Sequence, residues 1–390
     1  MPQPTQSPLM EQTLAPPPAG VRRTPTCRDA ASASLPSPRR RELMDELVEE
    51  VLLRLPPADP GSLVRAAVVC KRWRRLVSDP GFRRRFLEFH RTPPVLGFFY
   101  LDGSGSSAFA PTASSFPPLA ARHGGGLRVV DARHGRVLLR SNQTYFPSEG
   151  ALVVWDPITD QHTKLPLLPQ RFLMSWTASV LCAASLDGTC DHVDCNHGDF
   201  LVFFVASGHE ELAYVYSSET GAWSQPIATH LQWPYLPHRA HWWPSVLAGD
   251  ALYFLFQWEN IVLMATEDGR LGFAKVVDSK LYLWTRTDDD DPSGYQGWKQ
   301  SRAIQLKKLL PVGADSKTID VDVVAIADGA AIVFLGTRHD IFAFDPKSDK
   351  VTMAWKDTSP SDVYPYVSFY TPAMGGTSIG ERPRASSSRV

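Results

Sequence analysis

The sequence has few cysteines and no long apolar run, and both absences narrow the class of protein. Five cysteines in 390 residues are too few and too unevenly spaced for a disulfide scaffold, so we expect a reducing compartment: the cytoplasm, the nucleus or both. The longest apolar stretches, such as residues 200–206, are strand-sized and fall short of the roughly 18–20 residues that cross a membrane. A secretory signal is not apparent either, because no basic segment followed by an apolar one opens the chain. We therefore expect neither membrane insertion nor secretion.

Net charge is also nearly absent. The chain has 40 Lys and Arg residues against 41 Asp and Glu residues, a net charge of -1, which argues against a protein that binds nucleic acid through its whole surface. With 43% hydrophobic and 21% charged residues, the sequence can bury a large core, so a wholly disordered chain is excluded. Its length exceeds the roughly 100–200 residues of an ordinary domain, which predicts two domains or one repeat array.

Composition divides the chain into four parts. Residues 1–41 are rich in Pro, Ser, Ala and Arg and contain almost no aromatic side chains, so we expect a disordered tail. Residues 42–90 have helical periodicity, whereas residues 93–375 consist of short β-type runs separated by Gly, Pro, Asp and Ser. Residues 376–390 are again small and polar, and we expect a flexible end. The predicted fold class is therefore multidomain, α followed by all-β.

The helical part is the most informative stretch. In its first helix, Leu43, Leu47, Val51, Leu52 and Leu55 recur at intervals that place them on one apolar face. Pro56 and Pro57 end this helix, and Asp59 before Pro60 is a predicted N-cap for the next one. Three or four short helices in roughly 50 residues make a marginal core, so we expect this module to gain stability by docking on something else.

These residues resemble the F-box motif, and together with the following segment they resemble plant F-box proteins that carry an associated β-propeller-like domain. The block Val69-Cys70-Lys71-Arg72-Trp73 after a helix ending in Leu55-Pro56 is the basis of the resemblance. The resemblance implies binding to a Skp-family adaptor and, through it, to a cullin in a ubiquitin ligase of the Skp–cullin–F-box type. The residues it assigns to adaptor binding are Leu47, Val51, Leu52, Leu55, Pro56, Leu63, Val64, Val69, Cys70 and Trp73.

The second part repeats one design, in which an apolar strand, a short polar turn and another strand follow one another. The turns begin at Asp156-Pro157, after Tyr216, after Met264 and at Asp345-Pro346, and a further hairpin is predicted around Trp284 and Trp298. A period of roughly 40–60 residues with several strands per unit is typical of propeller blades and predicts about six of them in residues 93–375. A β-sandwich with coincidental hairpins is the alternative.

Basic side chains are concentrated in the helical part. This could form a local nucleic-acid patch, but on an F-box helix a solvated face or a contact with an acidic adaptor is the better interpretation, so no nucleic acid is expected as a partner. The residues concerned are Lys71, Arg72, Arg74, Arg75, Arg83, Arg84, Arg85 and Arg91.

Catalytic and metal-binding motifs give no positive evidence for an enzyme. Residues 376–380 fit G-x-S-x-G but lack the strand and helix that a nucleophile elbow needs. We expect no cofactor. The loop that contains Cys190, His192, Cys195 and His197, with Cys182 upstream, is interpreted as a polar connection whose cysteines pack inward, and zinc binding is the alternative.

One aromatic cluster is the candidate substrate-binding surface, because aromatic and Arg side chains on a rigid connection are typical of interaction hot spots. Packing between blades is the alternative for these residues, which are Trp233, Tyr235, His238, Arg239, Trp242 and Trp243. The sequence thus predicts a non-catalytic adaptor that brings an unknown protein substrate to a ubiquitin ligase. The competing hypothesis is a propeller-type hydrolase or carbohydrate-binding protein with incidental N-terminal helices.

Overall fold

The structure is a computed structural model. It describes residues 44–112, 126–141, 150–168, 175–185, 190–193, 195–207, 211–229, 244–255, 261–287, 297–311, 320–356 and 361–371. The expected tail at 1–41, the boundary at 375/376, the motif at 376–380 and the aromatic cluster at 233–243 lie outside these residues. Among the helices described, none combines the length and the apolar character needed to cross a membrane.

Four helices come first in the described chain. They are α1 (Asp45–Leu53), α2 (Pro60–Val69), α3 (Lys71–Val77) and α4 (Pro80–His90). The predicted start of α2 is confirmed, with Asp59 at the N-cap and Pro60 in the first turn, although the Asp59 carboxylate accepts a hydrogen bond from the Ser62 hydroxyl (2.6 Å) instead of capping a backbone amide. Asp79 caps α4 in the ordinary way, since its Oδ1 accepts from the backbone N–H of Gly81 at 2.8 Å.

The helices enclose a small core that the rest of the chain completes. Its buried helical members are Val48, Leu52, Leu53, Leu63, Ala66, Val77, Phe82, Phe86 and Leu87. Phe369, from the last described segment, is 1% exposed and belongs to the same core, and Val193 packs against it. The Arg83 guanidinium also donates to the Thr371 hydroxyl at 2.8 Å. The sequence predicted that this module docks on something without naming it, and these contacts join the helices to the loop before β8 and to the segment after β22.

The buried face of α1 differs from the predicted one. Val48 and Leu52 lie in the core, whereas Leu47 and Val51 are 48% and 62% exposed. The apolar arc of this helix is wider than the surface that α3 and α4 can cover, so one edge of the arc is left in solvent.

The remaining described chain forms 22 strands arranged as the blades of a propeller. The first sheet-forming strands are β1 (Val95–Leu101), β2 (Ser107–Pro111), β3 (Leu127–Arg133), β4 (Arg136–Ser141), β5 (Val153–Asp156), β6 (Gln161–Lys164), β7 (Ser175–Cys182), β8 (Phe200–Ser207), β9 (Glu211–Ser217), β10 (Ala222–Trp223) and β11 (Ile227–Thr229). They are followed by β12 (Val246–Ala248), β13 (Ala251–Tyr253), β14 (Ile261–Ala265), β15 (Leu271–Val277), β16 (Lys280–Arg286), β17 (Trp298–Gln305), β18 (Val321–Ala327), β19 (Ile332–Thr337), β20 (Ile341–Asp345), β21 (Lys350–Trp355) and β22 (Ser361–Val367).

Each sheet except one is built from consecutive antiparallel strands. The sheets are β3–β6, β7–β10 with β11 added beside β9, β14–β17 and β18–β21, with a hairpin of β12 and β13. The exception is the sheet β2–β1–β22, in which the last strand pairs with the first, in a register that includes Phe98 opposite Pro365. This pairing closes the ring, because it joins the two ends of the β-rich chain. The first strands of neighbouring sheets are also in contact: β3 contacts β7, and β14 contacts β18. This packing is that of a propeller and not of a two-sheet sandwich.

The predicted hairpins are confirmed, but the blade count is not. All four turns and the Trp284–Trp298 hairpin join paired antiparallel strands. Within the described residues the sheets make five blades of three to five strands, where about six were expected. The expected count came from dividing the length of residues 93–375 by the repeat period, which assumes that every unit is a full blade. The described residues 244–255 instead form only the two-stranded hairpin of β12 and β13.

Candidate functional site

An exposed apolar surface lies on the first two helices. On α1 and just before it, Met44 is 65% exposed, in addition to Leu47 and Val51; at the end of α2, Val68 and Val69 are 78% and 63% exposed. An ion pair between Asp45 and Arg72 joins the start of α1 to the start of α3. We call Met44, Leu47, Val51, Val68 and Val69 the apolar surface. Exposed apolar side chains concentrated on one small module are typical of a protein-binding site.

The structure divides the residues assigned to adaptor binding into three groups. Leu52 and Leu63 are each 1% exposed and belong to the helical core, so they support the fold and have little surface to offer a partner. Half-buried positions are Leu55, Val64 and Trp73. The exposed positions, which a partner can reach, are Leu47, Val51, Pro56, Val69 and Cys70. Met44 and Val68 are exposed apolar residues that the motif resemblance did not select, because the sequence does not show which apolar positions of a helix are covered.

Three of the eight basic residues of the helical part pair with acids of the same module. Arg72 pairs with Asp45, Arg85 pairs with Glu49, and Arg84 lies 3.9 Å from Glu88. Lys71, Arg74 and Arg75 are exposed. The interpretation of these residues as a solvated face or a contact with an acidic adaptor stays a prediction.

A cavity of about 310 Å³ opens among the inner strands of the propeller. At its wall, the buried Arg133 lies 3.1 Å from a carboxylate oxygen of Asp328 and donates to the Ser245 carbonyl. Asp131 accepts from the backbone N–H of Val180 at 2.9 Å. Burial raises the pKa of both Asp131 and Asp328, and the Arg133 charge opposes that rise. Each of these polar contacts joins one sheet to another, while Nε and Nη1 of Arg133 are buried without a hydrogen-bond partner.

A second polar cluster lies where β7 ends and the chain turns toward β8. The ligand atoms of Cys182, Cys190, His192 and Cys195 all lie within 4.8 Å of one another. His197, the remaining candidate from the sequence, is exposed and outside the cluster, whereas Cys182 at the end of β7 joins it. Burial, together with the neighbouring thiols of Cys182 and Cys190, raises the pKa of Cys195. The sequence indicated this loop with Cys182 upstream of it, but it did not show that Cys182 takes the place of His197 in the cluster.

Aromatic side chains also form a half-exposed patch on the β14–β17 sheet, which the sequence did not single out. Phe273 faces Trp284 across β15 and β16, with stacked rings 5.9 Å apart, and Trp298 meets Phe273 edge to face at 4.8 Å. Alternation along the two strands places these rings on one face, which is a signal that strand periodicity could have given. The predicted cluster at 233–243 lies outside the described residues, so it stays a prediction.

Comparisons with known proteins agree with this architecture. The F-box domain family matches residues 42–85. A protein of Arabidopsis thaliana described as an F-box protein, At3g16210, is 25% identical over 203 residues, and that match covers 50% of each chain. This chain thus spans about half the length of that curated relative.

Solved structures resemble the chain only loosely. The SapL1 lectin in complex with alpha methyl fucoside has a TM-score of 0.33 at 11% identity, over 69% of this chain and 99% of the lectin. The β-propeller domain of Cps50 (Swd1) from Myceliophteria thermophila has a TM-score of 0.28 at 12% identity, over 59% of this chain and 86% of that one. The ring of blades described above follows the helices as a β-propeller-like region. The family match shows that these helices are an F-box domain, and the relative shows that the chain is similar to a plant F-box protein.

Proposed function

We propose that this protein is the substrate-recognition subunit of a Skp–cullin–F-box ubiquitin ligase. In this proposal the apolar surface binds a Skp-family adaptor, a cullin is recruited through that adaptor, and the propeller holds a protein substrate. The observation that carries the proposal is the apolar surface itself, because exposed valine and leucine side chains on an F-box domain call for a protein partner.

No catalytic step is assigned to the chain, in keeping with F-box proteins in general, which are non-catalytic adaptors. Its contribution is proximity: a substrate lysine held near a charged conjugating enzyme reacts at a high effective concentration. The buried core of the helices makes this bridge firm, since Phe369 and Val193 from the propeller side pack into it. A substrate bound to the blades would then keep a fixed position relative to the adaptor.

The competing hydrolase or carbohydrate-binding hypothesis gains no specific support. The ordered charged groups in the propeller cavity, Asp131, Arg133 and Asp328, bind neighbouring sheets and one another. The substrate surface, the cellular location in cytoplasm or nucleus, and the outer limits of the domains stay predictions.

The experiment is a calorimetric titration of the full chain with a Skp-family adaptor. Leu47→Ala combined with Val51→Ala removes two exposed apolar contacts; with about 1 kcal/mol or more per hot-spot residue and about 1.4 kcal/mol per decade, we expect binding to weaken at least about tenfold. The matched control is Val277→Ala with Met353→Ala, which alters a valine and a long side chain that are 42% and 50% exposed on the propeller. Equal adaptor affinity in both double variants would contradict the proposal.

A further inference from the structure

The four-residue cluster at the end of β7 draws its members from two separate elements. Cys182 is the last residue of β7, whereas Cys190, His192 and Cys195 come from the connection to β8. Within the cluster the Cys195 sulfur lies 3.7 Å from Nδ1 of His192. Structural zinc sites are four-coordinate and combine Cys and His ligands, and the strand end and the loop together supply such a set of four.

The turn that carries three of the residues has a geometry suited to a charged sulfur. His192 has φ of 57°, which reverses the chain, and its backbone N–H points to the Cys190 sulfur at 3.4 Å. A backbone N–H directed at a thiolate stabilises its negative charge, and such outer contacts orient metal ligands. Asp191 does not compete for the site, because its carboxylate accepts from the Val193 N–H at 3.1 Å.

A buried cation stands beside the cluster. Arg136 is 3% exposed, and the electrostatic influence of Cys195 and Cys182 reaches its guanidinium. One of its two terminal nitrogens donates to the Gly198 carbonyl, while Nη1 is buried without a hydrogen-bond partner. The guanidinium carbon also lies 5.3 Å from the centroid of the Phe200 ring, and burying its charge is costly. A divalent ion with three thiolates and a neutral imidazole carries a net charge of -1, which would compensate this arginine.

We propose that Cys182, Cys190, His192 and Cys195 bind a structural zinc ion. Three sulfur ligands and one imidazole are the soft and borderline donors that favour Zn²⁺ over Mg²⁺ or Ca²⁺. Four protein ligands leave no open position for substrate or water, so the ion serves structure and not catalysis.

The position of the site gives the ion a specific task. Val193 lies between the ligands His192 and Cys195, and it packs against the helical core that also contains Phe369. By fixing the loop on both sides of Val193, the zinc ion would hold one of the contacts on which the F-box helices rest, in addition to those of Phe369 and Thr371.

The test is metal analysis of the full chain purified under reducing conditions. We expect about one zinc ion per chain by mass spectrometry and, after exchange with Co²⁺, the strong visible absorption of tetrahedral cobalt thiolate. Cys195→Ser and His192→Asn should each lower the zinc content to below about a tenth of an equivalent. The matched controls are Cys70→Ser and His197→Asn, exposed residues of the same types outside the cluster, which should keep the metal.

Cobalt absorption of the unaltered chain decides the matter even where a ligand variant fails to fold. The proposal is overturned if that chain binds neither Zn²⁺ nor Co²⁺, if His197→Asn removes the metal as completely as His192→Asn does, or if peptide mapping shows a disulfide between two of the three cluster cysteines in place of free thiols.

Discussion

The rings of Phe86 in α4 and Phe369 after β22 meet edge to face, with centroids 6.1 Å apart and planes at 81°. Both side chains are fully buried, at 0% and 1% exposure. Edge-to-face pairs of this kind add about 0.5–1.5 kcal/mol to the burial of the rings themselves. The F-box helices therefore depend on a residue that arrives only after the last strand of the propeller.

Replacing Phe369 by Ala should destabilise the helices strongly. Truncating a fully buried phenylalanine typically costs about 3–5 kcal/mol, which is a large part of the stability of so small a module. We expect hydrogen exchange over residues 45–90 to accelerate while exchange in the blades changes little. Phe89→Ala is the control, because Phe89 is on the same helix but 53% exposed. Unchanged protection of the helices in the Phe369 variant would show that they fold independently.

Two adjacent residues of α1 should separate fold from binding. Leu52 is 1% exposed, so Leu52→Ala is expected to lower the free energy of unfolding by about 2–5 kcal/mol. Val51 is 62% exposed, so Val51→Ala should leave stability within about 0.5 kcal/mol and weaken adaptor binding directly. Denaturant unfolding and calorimetry measure the two effects. If both variants lose stability equally, the division of α1 into a core face and an apolar surface is wrong.

Removing the Arg133 cation should make stability depend on pH. Burial already raises the pKa of Asp131 and Asp328 above the unfolded value, and loss of Arg133 would raise both further. A carboxyl with a raised folded pKa binds protons more readily in the folded state, so stability decreases as pH rises through that range. For Arg133→Met we expect a loss of about 3–5 kcal/mol near pH 8 that becomes smaller near pH 5.

Arg128→Met is the control for this effect. Arg128 pairs with Asp362, but the two side chains are 29% and 26% exposed, so the loss should be about 0–1 kcal/mol and nearly independent of pH. Denaturant titrations at both pH values measure the difference. The prediction is wrong if the loss of unfolding free energy in Arg133→Met is the same at pH 5 and pH 8. That result would mean that Asp131 and Asp328 do not bind protons between these two pH values.

Local chemistry was predictable wherever short-range rules decide the conformation. Asp156 and Asp345 begin turns of the same design, each accepting from the N–H two residues on at 2.8 Å, and the side chains that make this turn are visible in the sequence. Asp59 and Pro60 likewise start α2 where expected. The F-box assignment rested on the resemblance of a short block of residues to a known motif, and the family match confirms it.

Features that depend on long-range packing were not predictable in the same way. Periodicity shows that α1 has an apolar arc, but which edge is covered depends on where α3 and α4 lie, so Val51 and Leu52 could not be told apart. The role of Cys182 depends on where β7 ends relative to a loop several residues later. The predicted number of blades was wrong for a related reason. A repeat period gives the number of units, but it does not show how many strands each unit contributes to a sheet.

The pairing of β1 with β22 has a consequence for synthesis of the protein. During translation the F-box helices emerge first, yet the strand that closes the ring and Phe369 that fills the helical core emerge among the last described residues. A chain that stops early lacks both, so its helices keep a hole where the phenyl ring belongs. Under the proposed function, a chain that lacks β22 and Phe369 would therefore present loosely held helices to an adaptor, so a truncation before Phe369 would weaken adaptor binding as well as stability.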